Sequence, residues 1–365
     1  MKTIIGTMSG TSLDGVDAAI LKTDGEGDLI FGATHCRPYS RAEKAILKDA
    51  IAAASGEQGR AGDEVSEAEG LILTAHEEAV RALMDEAGLS AAEVDLIALH
   101  GQTLFHAPHQ KVTVQIGDGD ALSKALGIDV VFDFRSKDVS EGGEGAPLVP
   151  VFHRALINKA GVPLPAAIVN IGGVANISIV GEDDSLIAFD TGPGNALIDD
   201  WITSRTSKTF DQWGRIAGEG RVNEILVNEW LNDPYFSRSA PKSLDRNHFS
   251  IDELDRASLA DGAATLTAFS ARAIAKAVEL YPVKALFVTG GGAHNRTMTR
   301  MLSEACGLDV RNIGEIGADP DFVEAYAFAY LAARAEADLP ISFPETTGVA
   351  KPMSGGRIVR AQDRR

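Results

Sequence analysis

Two stretches of this chain share one design, and that repetition limits what the chain can fold into. The first is Ile4-Ile5-Gly6-Thr7-Met8-Ser9-Gly10-Thr11-Ser12-Leu13-Asp14-Gly15-Val16-Asp17-Ala18-Ala19-Ile20-Leu21. It runs from an apolar segment through a Gly/Ser/Thr loop with one acid into a second apolar segment. The second is Ala167-Ile168-Val169-Asn170-Ile171-Gly172-Gly173-Val174-Ala175-Asn176-Ile177-Ser178-Ile179-Val180, again strand, glycine turn, strand. The repetition is architectural, not one of sequence identity. Gly6, Gly10 and Gly15 permit backbone angles and close approaches that a side chain would block. Amides and hydroxyls in such a loop form a concave donor surface suited to phosphate oxygens. The first loop is not a Walker loop, because no Gly-Lys-Ser/Thr follows. A hairpin with a merely polar turn is the alternative.

Each hairpin opens one half of a 365-residue chain, which is more than one core usually serves. The expectation is two α/β domains, with the boundary near Pro163 and Pro165. The first half reads as a strand at 29–35, helices at 41–54 and 66–87, and a polar glycine-containing loop at 56–62. Gly88 closes the long helix, and Ser90 with Glu93 has capping-box spacing. A buried strand at 95–99 then ends in His100-Gly101-Gln102-Thr103, and open α/β sheets place ligands at such strand ends. Strands follow at 112–116 and 128–132, the latter ending in Asp133-Phe134-Arg135. Residues 138–145, with three glycines and three acids, read as a mobile loop. A helix at 149–159 closes this half.

In the second half a strand at 186–189 ends in Asp190-Thr191-Gly192-Pro193-Gly194-Asn195, just before a helix at 196–204. Loop is expected at 214–220, helix at 222–231 and irregular chain at 232–248. A helix at 263–281 and a strand at 284–288 lead to Thr289-Gly290-Gly291-Gly292-Ala293-His294-Asn295. Helices at 296–305 and 321–337 follow, then a polar, basic tail from 346. The domain expectation is 1–160, joined by the tail 340–365, and 161–339.

A net charge of −18 disfavours nucleic acid or an anionic membrane surface as partner. Two cysteines, Cys36 and Cys306, lie in different halves with no metal-ligand spacing, so a reducing cytoplasm and buried, inert thiols are expected. No apolar run approaches the roughly 18 residues of a membrane helix.

Six stretches, in order along most of the chain, carry a specific resemblance. They are Met8 to Asp17, His100 to Thr103, Asp133 to Arg135, Asn170 to Asn176, Phe189 to Asn195 and Thr289 to Asn295. Together they resemble the anhydro-N-acetylmuramic acid kinase family of the hexokinase–actin–heat-shock ATPase superfamily. The resemblance implies a two-domain actin/hexokinase-like (ribonuclease H-like) α/β fold with an interdomain ATP and sugar cleft. It implies a Mg2+–ATP-dependent homodimeric kinase of cell-wall recycling. That kinase adds water across the bridge of 1,6-anhydro-N-acetylmuramic acid and phosphorylates O6. The runner-up is a levoglucosan-type anhydrosugar kinase. A nonenzymatic ATP-dependent clamp of the actin or heat-shock type is the rival from another class.

On that resemblance Asp190 is the base that takes a proton from water, against the alternative of a helix cap. Gly10, Thr11, Ser12, Leu13, Asp14, Gly15, Val16 and Asp17 form one nucleotide-binding stretch, with Gly172 and Gly173 as its counterpart. Asp14 is the metal candidate through water, or else an Asx turn. Gly290, Gly291, Gly292 and Asn295 lie against adenosine, or form only a tight strand–helix turn. His100, Gln102, Asp133, Arg135, Asp190 and Glu324 are the substrate set. For Arg135 the options are the lactyl carboxylate, the γ-phosphate or a plain salt bridge. Trp213 is expected to be structural.

Overall fold

The apolar start of the chain becomes the middle of a sheet. The structure, a computed structural model, describes residues 1–10, 12–56 and 62–361, and it divides into two compact units, 1–159 with 322–365, and 160–321. In the first unit β1 (Lys2–Met8), β2 (Gly15–Thr23) and β3 (Leu29–Pro38) form an antiparallel meander. β4 (Leu96–Leu99) lies parallel on the other side of β1. β5 (Gln102–Ala107) and β6 (Val112–Ile116) make a separate hairpin. β7 (Val130–Phe132) runs parallel to β4, and Arg357–Val359 closes that edge.

The second unit is built from β8 (Ala166–Ile171), β9 (Val174–Val180), β10 (Leu186–Pro193), β11 (Ala285–Thr289) and β12 (Val310–Asn312). Its sheet order is β10-β9-β8-β11-β12, and the first sheet reads β3-β2-β1-β4-β7 before its extra edge strand. In both, a three-stranded antiparallel meander is extended by parallel strands beyond its first member. Each sheet is therefore the same device, as the paired hairpins predict, and the architecture is the expected actin/hexokinase-like α/β fold.

Helices cover these sheets where their apolar spacing directs. Asp63–Ala87 buries Val65, Ala68, Ile72, Ala75, Ala79 and Leu83 on one stripe, and Gly88 ends it at φ 66°. The Ser90–Glu93 capping box forms, with the Glu93 carboxylate accepting from Ser90 N at 2.9 Å. In the second unit Leu259–Leu280 is buried almost all round, and alanine is the commonest residue on its buried surface.

Four expectations need correcting. Residues 322–339 pack with the first unit, not the second, because helix Val323–Glu336 lies on β1, β2 and β4. Residues 138–145 are pinned rather than mobile. Buried Asp138 accepts from Gly145 N at 2.6 Å and from the Thr347 hydroxyl at 2.6 Å. Chain expected to be loop at 214–220 contains the short helix Arg215–Glu219, because the Asp211 carboxylate caps its first amides. Cys36 is exposed on β3, whereas Cys306 is half-buried. The expected loop at 56–62 falls largely on residues outside those described. No helix among the described residues is long and apolar enough to cross a membrane.

Candidate functional site

The first glycine loop is held from beneath. Buried Ser9 donates to the Gln102 Oε1 at 2.7 Å and shares a 3.0 Å hydrogen bond with the Tyr39 hydroxyl. Gln102 is itself fully buried and its NH2 donates to Thr103 O, so it supports the loop and is not presented to a sugar. Leu13 N donates to Gly10 O at 3.1 Å, turning the loop with Leu13 at φ 56°. Gly15 admits the next strand closely, since a Cβ there would meet Arg37 O at 2.3 Å. Gly10 is half-buried and Ser12 exposed, while Thr11 lies outside the described residues. Leu13 and Val16 turn their side chains into the core, leaving only backbone to a ligand. Asp17 sits on β2 opposite Cys36 and hydrogen-bonds its thiol. Partial burial and that acid push the Cys36 thiol up to about 12, so it stays protonated and unreactive.

The Asp14 side chain is 79% exposed, with Lys44 Nζ 3.3 Å from its Oδ1. No group of three or more metal-ligating side chains exists among the described residues. A single exposed carboxylate fits the way Mg2+ is bound beside a nucleotide, where waters and phosphates fill most positions. Lys44 has no mark in the sequence; it stands on helix Arg41–Gly56, thirty residues away in the chain.

A second cluster gathers at the carboxyl ends of β4 and β7. Buried His100 bonds Gly101 O through Nδ1 at 2.8 Å, while Nε2 lies 3.0 Å from both Arg135 and the Gln115 NH2. Nε2 therefore accepts and Nδ1 carries the proton. Burial and the adjacent guanidinium hold the imidazole well below its usual range, so it is neutral at pH 7. Arg135 also donates to Gly145 O at 2.8 Å, and Phe328 lies against both the His100 ring and the guanidinium. Burial lowers the Arg135 pKa, and the carboxylates of Glu324 and Asp138 oppose that shift. Glu324, from the first turn of helix Val323–Glu336, thus belongs to this cluster. Asp133, at φ 54°, and His100 line a cavity of about 410 Å³ that Gln115, Asp118 and Asp120 share. Gln115 comes from the separate hairpin, and nothing in its sequence context marks it.

In the second unit the Gly172–Gly173 turn is tied to the start of helix Ala196–Arg205. Gly172 O accepts from Asn195 N at 2.7 Å, and Gly173 O accepts from Gly194 N at 2.8 Å. The late glycines divide their roles. Gly290 takes φ 74° and its Cβ would meet Asn170 Oδ1 at 2.3 Å; a Cβ on Gly292 would strike Ile171 at 2.2 Å. Those two seat the turn on the end of β8, whereas Gly291 is exposed. Asn295 is buried and caps helix Arg296–Cys306, accepting from Met298 N at 2.9 Å.

Asp190 is half-buried at a β-bulge near the end of β10. Leu244 N donates to its Oδ2 at 2.9 Å, and its own N–H donates to Lys242 O at 3.0 Å. The Tyr235 hydroxyl donates to its carbonyl. Burial raises the carboxyl to about 6, against a downward pull from the Leu244 amide. The result is a carboxylate oriented by backbone and strong enough as a base to accept a proton near neutrality. It does not cap the following helix, because Asn195 holds the N-cap position.

The family model described as anhydro-N-acetylmuramic acid kinase matches residues 2–361. A Rhodopseudomonas palustris (strain BisB18) protein of that description is 50% identical over 364 residues, covering 98% of this chain and 100% of its own. A Methylobacterium nodulans relative, also so described, is 49% identical over 370 residues, covering 98% of this chain and 99% of its own. A third, from Bradyrhizobium diazoefficiens, is 46% identical and covers 99% of this chain and all of its own.

Proposed function

The chain belongs to the anhydro-N-acetylmuramic acid kinase family, and on that premise we propose that it converts 1,6-anhydro-N-acetylmuramic acid, water and ATP to N-acetylmuramic acid 6-phosphate and ADP in peptidoglycan recycling. The observation that carries this reading is Asp190, a backbone-held carboxylate raised to about 6. Asp190 takes a proton from water as the water oxygen bonds to C1. The C1–O6 bond breaks, its electron pair stays on O6, and O6 attacks the γ-phosphorus. ADP leaves, and the proton held by Asp190 passes to solvent.

The remaining roles follow from the side chains. Gly10, Thr11, Ser12 and the Gly172–Gly173 turn give backbone and hydroxyl donors to phosphate oxygens, since phosphoryl transfer is mainly positioning and charge neutralisation. Asp14 would hold Mg2+ through water, the ion supplying charge neutralisation at the β- and γ-phosphates. Gly291 offers an open backbone surface to adenosine. Arg135 takes the lactyl carboxylate and His100, fixed as a neutral tautomer, orients Arg135. Asp133 and Glu324 accept from sugar hydroxyls. Family membership supports a cytoplasmic homodimer, which light scattering would read.

The reading is tested by ADP release across a panel of sugars. The anhydromuramyl sugar should be turned over and the signal lost on chelating divalent cations. Equal turnover of levoglucosan would replace the substrate assignment, and sugar-independent ADP release would favour a clamp.

Arg135→Ala should raise KM for the anhydromuramyl sugar by about ten- to a hundredfold, the worth of one charge-assisted contact. Turnover of levoglucosan, which lacks the lactyl group, should change little. A parallel loss on both sugars would remove the carboxylate role from Arg135.

A further inference from the structure

Trp213 stands on the surface for no reason that folding supplies. It is 42% exposed, whereas Trp201 and Trp230 are buried at 0% and 9%. Its backbone is left-handed, at φ 63° and ψ 13°, which is costly for a bulky L-residue. The surrounding chain enforces that conformation. Thr297 Oγ1 donates to Gly214 O at 2.6 Å, and a Cβ on Gly214 would lie 2.0 Å from Asn295 Oδ1. On the other flank the Asp211 carboxylate accepts from Ile216 N and Ala217 N, both at 2.9 Å. A strained backbone clamped on both sides holds an indole out of the core, and such strain collects at ligand sites.

The neighbours of the ring define a chemistry. Trp213, Arg215 and Arg296 line a cavity of about 200 Å³. The Arg296 guanidinium lies 5.8 Å from the indole centroid, and the His294 ring meets it edge-on at 5.9 Å. His294 is the last residue of the Gly291–His294 turn, so the indole packs on the C-terminal end of the turn that also carries exposed Gly291. An aromatic ring with one guanidinium against it and a second arginine lining the same cavity suits a flat, electron-rich heterocycle that carries anionic groups. The two arginines also make a locally cationic spot on a chain of net charge −18.

We propose that Trp213, flanked by Arg215 and Arg296, is the stacking platform for the purine base of the nucleotide and sets the preference for ATP over pyrimidine triphosphates. This rests on the kinase reading. Trp213 is a specificity residue and touches no reacting atom. The test uses the full chain and intrinsic tryptophan fluorescence, with kinetics in parallel. ATP should quench the wild-type emission, inorganic tripolyphosphate should not, and the ATP-dependent quench should vanish in Trp213→Phe, where the two buried indoles remain. Trp213→Ala should raise KM for ATP by about tenfold or more, as loss of one base stack does, with kcat within about twofold. Trp213→Phe should restore most of that affinity, and the ATP-to-UTP ratio of kcat/KM should fall towards one only in Trp213→Ala. Quench surviving in Trp213→Phe, or an unchanged ATP-to-UTP ratio in Trp213→Ala, would overturn the platform while leaving a working wild-type kinase intact. If the wild type forms no sugar-dependent ADP, the kinase reading has failed instead, and the ATP-specific quench still decides whether Trp213 binds a base.

Discussion

Asp190→Asn should lower kcat for the anhydrosugar by about 10²–10⁴, the usual worth of a positioned general base. The protein should nevertheless fold and become more stable at neutral pH. The reason lies in the burial that makes the group a base. A carboxyl raised from 3.8 to about 6 binds a proton more tightly in the folded chain than in the unfolded one. Its contribution is least unfavourable below about pH 4 and worsens as pH rises to about 6, because the fold must then hold a half-buried charge. At pH 7 this costs up to about 3 kcal/mol, since each tenfold change in proton affinity is worth about 1.4 kcal/mol. Asparagine removes the charge and keeps an oxygen for the Leu244 amide, which donates at 2.9 Å. Thermal unfolding of wild type and variant at pH 7 and pH 4 would show the gain at pH 7 shrinking at pH 4. In wild type kcat/KM should fall below about pH 6 as the base becomes protonated. Substantial sugar-dependent ADP formation by the variant would remove the base assignment. An inactive variant without the stability gain would point to a misplaced segment at 242–244.

The repeated hairpin is legible in the sequence because local patterning decides it. Apolar runs interrupted by glycine form hairpins in either half, and sheet order follows from their connections. Local pattern places Asp190 at a strand end, but that position equally suits a helix cap; its role as base is read from the family resemblance, and the Leu244 and Lys242 backbone that holds it lies more than fifty residues away. What the sequence hides depends on contacts across long stretches of chain. Lys44 reaches Asp14 from a helix, Gln115 reaches His100 from a separate hairpin, and Thr347 pins Asp138 from more than two hundred residues away. Gln102 shows the opposite failure. It lies in a motif that resembles a substrate contact, yet its amide is spent beneath the first loop on Ser9. Helix Val323–Glu336 reads as part of the second unit because the chain enters it directly from the second sheet. Its apolar face fits the first sheet, through a contact that only a glycine allows.

That contact makes Gly6→Ala a damaging small substitution in the first unit. Gly6 lies in the middle of β1, where alanine is conformationally acceptable and burial would even favour a methyl group. A Cβ there would sit 1.9 Å from Ala325 O and 2.6 Å from Ala329 N. Both are backbone atoms of helix Val323–Glu336, so no rotamer change can relieve the overlap. The helix must move away from β1, opening its contacts with β2 and β4 as well. Overpacking in a core costs about 1–3 kcal/mol, and a clash with helix backbone belongs at the upper end. At about 2–4 °C per kcal/mol for a domain of this size, the melting temperature of this unit should fall by roughly 5–10 °C. The same shift would carry Glu324 and Phe328 away from Arg135 and His100, so KM for the sugar should rise even in protein that remains folded. Gly70→Ala serves as the control, because a Cβ at that position meets nothing within 4 Å. It should leave both quantities unchanged or add slight stability, as alanine favours a helix over glycine. If Gly6→Ala melts like wild type with an unaltered KM, the helix does not rest on β1 as closely as the structure has it. The link from that helix to the Arg135 cluster would then be lost with it.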